Sequence, residues 1–135
     1  MKKLLNKTMM CISKRLLHVT LLCFMLLGYS GVAWAKTVYL NANNVNGVEW
    51  GKDGAWFFAH IWSDGGSSSD VKMNSVGNGY YSCDVPDGKD KIIFVRKNPA
   101  HLELSFDNKW GQTTDLSIPT DNNLFTPNGW DNCGG

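Results

Sequence analysis

From residue 36 onward, apolar residues come in short runs broken by Gly, Pro, Asn and Asp, and no stretch repeats them at helical spacing. Short β-rich runs about 8–12 residues apart predict an all-β fold with strands paired by tight turns. Val38 and Leu40 share one side of the first run, Thr37 and Tyr39 the other. Val48-Glu49-Trp50 is expected to touch the sheet before the next turn. Val71, Lys72, Met73, Asn74, Ser75 and Val76 alternate and read as one strand, with Gly77-Asn78-Gly79 turning it into a hairpin. On the return, Tyr81, Cys83 and Val85 are expected inward. Lys91-Ile92-Ile93-Phe94-Val95-Arg96 is apolar on both faces at its centre, which predicts a strand in the middle of a sheet. Leu102-Glu103-Leu104-Ser105-Phe106 reads as a short strand or an ordered loop, and Asn123-Leu124-Phe125-Thr126 as the last strand. The spacing fits a β-sandwich or barrel, and the expected architecture is a single antiparallel β-sandwich.

One run departs from simple alternation. Gly54-Ala55-Trp56-Phe57-Phe58-Ala59-His60-Ile61-Trp62 holds four large aromatic rings and a histidine. As a strand it places Trp56, Phe58, His60 and Trp62 on one face and Phe57, Ala59 and Ile61 on the other. A strand with one wet face would show polar residues at every second position. Either both faces are buried, or one is an aromatic platform for a flat apolar partner.

The preceding segment has a different character. Lys2, Lys3, Lys7, Lys14 and Arg15 precede a mostly apolar stretch at 16–28, and Ala33-Trp34-Ala35 supplies the small residues of a cleavage site. This pattern predicts a signal peptide, 1–35, and export to the periplasm or the exterior. The apolar stretch falls short of the ~20 residues a membrane span needs, so no span is expected after cleavage. Residues 36–135 then form one small domain. Its two cysteines, Cys83 and Cys133, are expected to form a disulfide, as is usual in an exported protein. Removing the five leader cations leaves eight Lys and Arg against twelve Asp and Glu, a net charge of −4. A mildly acidic domain without a basic run argues against nucleic acid and against an anionic membrane surface.

Candidate chemistry is sparse. His60 and His101 are the only histidines after residue 35, and no serine, cysteine or carboxylate arrangement resembles a catalytic set, so no enzyme activity is expected. Asp84, Asp87 and Asp90 make the best hard-cation candidate, but Pro86 and Lys89 among them fit a plain turn better; neither metal nor cofactor is assigned. Stacking remains. A sugar ring lays its C–H face on an aromatic ring while its hydroxyls seek amides and carboxylates, each stack contributing ~0.5–1.5 kcal/mol beyond burial. Phe58, His60, Trp62 and Trp110, with Gln112, are the candidate ligand-binding residues. The competing reading puts Trp56, Phe58 and Trp62 in the core and makes His60 a half-buried imidazole.

The ordered series Phe58-Ala59-His60-Ile61-Trp62, Val71-Lys72-Met73, Gly79-Tyr80-Tyr81, Pro86-Asp87-Gly88, Ile92-Ile93-Phe94 and Gln112-Thr113-Thr114-Asp115-Leu116-Ser117-Ile118-Pro119 resembles the starch-binding modules of carbohydrate-binding family 26. The resemblance implies a non-catalytic β-sandwich of immunoglobulin-like, carbohydrate-binding-module type that holds α-glucan, with an amylase or cell-surface protein as a separate partner. The family's Tyr-x-Tyr-x-Trp strand falls on Phe58, His60 and Trp62, and its amide on Gln112. Ser68-Ser69-Asp70 stands where the family has Trp-Pro-Gly, so one stacking ring is missing, and Trp110 is the candidate replacement. The alternative is a secreted protein-interaction module, an inhibitor or adhesin, that uses the same aromatics as contact residues.

Overall fold

The computed structural model describes residues 36–127 and 129–133; the expected leader, 1–35, lies outside them. The described residues form ten strands: β1 (Lys36–Asn41), β2 (Trp56–Trp62), β3 (Ser69–Lys72), β4 (Asn74–Gly77), β5 (Tyr80–Val85), β6 (Lys91–Lys97), β7 (Lys109–Gln112), β8 (Leu116–Ser117), β9 (Leu124–Thr126) and β10 (Gly129–Asp131). They make an all-β sandwich. One sheet runs β10-β9-β1-β5-β4 and the other β3-β2-β6-β7, with β8 also paired to β6. Pairing is antiparallel except between β1 and β9, which run parallel.

The core lies between the sheets and is built by alternation. Val38, Leu40, Cys83 and Val85 come from one sheet, and Phe57, Ala59, Ile61, Ile92 and Phe94 from the other. Phe57 meets Tyr81 edge-on at 4.5 Å and stacks against Trp50 at 6.1 Å, and Phe94 stacks on Phe125 at 5.6 Å. Trp50 reaches this core from the connection after β1, which a Val45–Val48 bridge folds back. Fully burying each large ring contributes on the order of 1.5–3 kcal/mol.

Two expectations are corrected by this geometry. Residues 71–76 are not one strand: β3 joins the β2 sheet, and β4 pairs with β5 across the sandwich. The chain crosses over at Met73, which is buried and whose N–H donates to the Phe57 carbonyl at 3.0 Å. The Cys83–Cys133 disulfide is not formed; Cys83 is a free, buried thiol. Cys83 points between the sheets with Val85, as its alternation requires, whereas Cys133 packs with Tyr39 and Leu124. Tyr39 and Leu124 face away from the core, opposite to their strand neighbours Leu40 and Phe125, so the sheet itself stands between the two sulfur positions.

Candidate functional site

Strand β2 is central to the site because both its faces are apolar. Its inward residues are Phe57, Ala59 and Ile61. Its outward row, Trp56-Phe58-His60-Trp62, meets the outward residues of β6 and β3 in register: Trp56 with Lys97, Phe58 with Val95 and Lys72, His60 with Ile93 and Asp70, Trp62 with Lys91. Phe58, Ile93 and Val95 are buried there, with Trp56, Trp62 and Phe106 packed around them. The sandwich therefore has a second apolar cluster on the outside of this sheet.

The cover comes from residues 98–108, the connection between β6 and β7, which is an ordered loop rather than a strand. Lys97 anchors it. This side chain is wholly buried, and its ammonium donates to the carbonyls of Ser105 at 2.8 Å and Asp107, with Glu103 at 3.7 Å. The Trp56 indole N–H donates to the carbonyls of His101 at 2.9 Å and Asn98 at 3.3 Å. Glu103 is exposed; a hydrogen bond from its own backbone, another from Asn108, and the charges of Lys97 and His101 hold its carboxyl below the usual range. So pinned, the loop brings Phe106 edge-on to Phe58 at 5.8 Å and to His60 at 5.1 Å.

Trp56, His60 and Trp62 stay partly exposed, and of the row only Phe58 is sealed. The His60 and Trp62 rings lie 5.4 Å apart with 39° between planes. His60 Nδ1 lies 2.7 Å from Asp70 Oδ1, its cross-strand neighbour, and the two side chains are 24% and 34% exposed. A carboxylate on one ring nitrogen orients the imidazole and turns Nε2 away from it. Trp62 is half-buried, and its indole N–H has no hydrogen-bond partner among the described residues. Trp62 and His60 thus make a shallow shelf backed by Ile93, with the Phe106 ring standing as a wall.

The sequence candidates divide. His60 and Trp62 lie together on the shelf. Phe58 is on the same face but at 0% exposure beneath Phe106, so it supports the shelf and offers no surface. Gln112 is exposed and lies opposite Val95, hence on the same face, two strands or ~10 Å from β2. Trp110 is 44% exposed but belongs elsewhere: a bulge between Arg96 and Lys97 displaces it from the outward row, and the Arg96 guanidinium lies 4.9 Å from its ring centre. Arg96 is itself fixed by the carbonyls of Trp50 and Lys52 at 2.8 and 2.9 Å. Trp110 therefore lies off the outward row of the shelf. Phe106 and Asp70 are the residues the sequence reading passed over. Alternation in 102–106 hinted that Phe106 had a preferred side, while Asp70 becomes visible only once β3 is registered on β2.

Among the described residues, no cluster of three His, Cys, Asp or Glu is arranged to hold a metal ion, and no helix is long and apolar enough to cross a membrane. No protein-family model, curated protein or solved structure matches the chain.

Proposed function

We propose that this domain is a non-catalytic carbohydrate-binding module of an exported protein, holding a polysaccharide against the outward face of the β3-β2-β6-β7 sheet. The observation that carries this reading is the Trp62–His60 shelf: an indole whose N–H has no partner among the described residues next to an imidazole oriented by Asp70, with an exposed amide at Gln112 two strands away on the same face. Such a surface matches the alternating C–H faces and hydroxyl edges of a sugar chain. The likeness to starch-binding modules makes α-glucans the first class to test, with an amylase or a cell-surface protein as the partner that would share the substrate.

Titrating maltoheptaose while following tryptophan fluorescence tests the reading. Binding that shifts the emission and is lost in Trp62→Ala supports it; no response to any glycan sinks it. A second reading has its own support. Leu102 and Leu104, in the loop over the shelf, are 73% and 42% exposed, which suits contact with a protein partner. Loss of a protein complex in Leu102→Ser, with glycan binding absent, would favour that role.

A further inference from the structure

The charges on the shelf side of the molecule run against those of the chain. Residues 36–135 carry a net −4. The outward positions of β3, β2, β6 and β7, with residues 98–108 above them, hold Lys72, Lys91, Lys97 and Lys109 against Asp70, Glu103 and Asp107, a net +1. The remainder therefore carries −5. Among the described residues no carboxylate lies within ion-pair distance of Lys72, Lys91 or Lys109, because Asp70 is turned to His60 and Glu103 to Lys97 and His101. Lys91 stands opposite Trp62 in register, its ammonium 3.1 Å from Ser117 Oγ. Lys72 stands opposite Phe58, one pair along from His60, with its ammonium 5.4 Å from the Trp56 ring centre. Lys91 thus stands beside Trp62 on β6, and Lys72 on β3 beside the Phe58 end of the row, neither in an ion pair among the described residues. Asp64, Asp87 and Asp90 belong to the connections at the Trp62 end of the sheet, where the Asp90 N–H donates to the Trp62 carbonyl at 3.2 Å, and are left out of this sum.

We infer that the ligand is an acidic polysaccharide, one whose sugar rings carry carboxylates, with Lys72 and Lys91 reading the charge while Trp62 stacks the ring. This rests on the stacking reading of the same shelf and parts from the α-glucan likeness on the sugar alone. An ammonium group binds a carboxylate more strongly than a neutral hydroxyl, and with Lys91 opposite Trp62 and Lys72 four residues along β2, about 13 Å away, successive uronate rings of a chain lying along the row would meet one each. The acidic remainder repels a polyanion elsewhere on the surface, which confines it to this face.

The test measures binding of the protein to polygalacturonate, alginate and hyaluronate, to fully methyl-esterified polygalacturonate (the same backbone without the charge), and to amylose. At least one uronate polymer is expected to bind about tenfold more tightly than the neutral chains, and Lys72→Gln with Lys91→Gln to erase about that factor, the scale of two exposed ion pairs. Trp62→Ala is expected to weaken the same complex, with circular dichroism showing each variant folded. Equal or tighter binding of amylose or the methyl ester overturns the acidic assignment and leaves the shelf intact. Uronate binding unchanged by Trp62→Ala overturns it as ion exchange without stacking. Binding of no polymer removes both the assignment and the shelf reading beneath it.

Discussion

The two halves of the outward row of β2 began as equals and ended differently. Trp56 and Phe58 at one end, and His60 and Trp62 at the other, obey the same alternation on the same strand. At the first end the Trp56 indole N–H donates to two backbone carbonyls and Phe58 is sealed under Phe106. At the second, the Trp62 N–H has no partner among the described residues, and His60 is a quarter exposed. Strand periodicity decides which face a ring occupies; whether that face is core or surface is decided by a loop some forty residues later. The sealed Phe58 is a foundation, and the His60–Trp62 end is where a ligand has room.

The largest effect should come from breaking the covered end. Phe58→Ala removes a fully buried ring and leaves a cavity beneath Phe106, so it should cost about 3–5 kcal/mol in urea unfolding. Trp62→Ala at the open end should cost about 1 kcal/mol or less, since its ring is only half-buried. Equal losses at both sites would mean that the open end is as structural as the covered one.

Next comes the pin. Lys97→Met keeps most of the volume but removes the ammonium that holds the Ser105 and Asp107 carbonyls, and should cost about 1–3 kcal/mol. Amide exchange should quicken across residues 98–108 while strand β2 stays protected. Cys83 tells local opening from global unfolding. Burial, with the nearby charge of Asp84, pushes its thiol up to about 12, and it lies between the sheets, not under the loop. Alkylation of Cys83 should therefore stay slow in folded Lys97→Met. Fast labelling there would show that the loop and the main core open together.

The same thiol gives a pH dependence. Its raised value means that the folded state holds the proton more tightly than the unfolded chain. That stability is complete below the unfolded thiol's ordinary value near ~8.5 and is lost as pH climbs towards the folded one. Tyr39, raised by burial and by Asp84, acts in the same direction. Urea midpoints should fall on the alkaline side, less steeply in Cys83→Ala. An unchanged slope in that variant would mean the thiol is more accessible than its packing shows.

Alternation made much of this fold legible. The division of β1 and β2 into two faces, the inward set on β5 and the central place of β6 follow from period two and from a run apolar on both sides, while which face of β2 is inward does not. What stayed hidden depended on contacts between distant segments. Met73 gave no sign that the chain changes sheets there. Lys97, at the end of a strand, has the look of a solvated terminus and is instead the most buried cation among the described residues. Trp110 was displaced by a one-residue bulge, which composition does not announce. The cysteine pairing failed because an even count says nothing about which side of a sheet each sulfur faces.

The smallest effect is the most specific to the open end. Asp70→Asn keeps the size of the side chain and an oxygen that can still accept from His60 Nδ1, so stability should change by less than about 1 kcal/mol, as for other partly exposed pairs. What changes is orientation: the carboxylate fixes the proton on Nδ1, whereas an amide that rotates can donate to the same nitrogen and move the proton to Nε2. If His60 Nε2 accepts a hydroxyl of the bound sugar, the substitution should weaken binding about threefold with the tryptophan signal retained, a loss smaller than that of Trp62→Ala. Imidazole nitrogen shifts would report the change in tautomer directly. Altered shifts with unaltered affinity would remove His60 from ligand contact and leave Trp62 to carry the shelf.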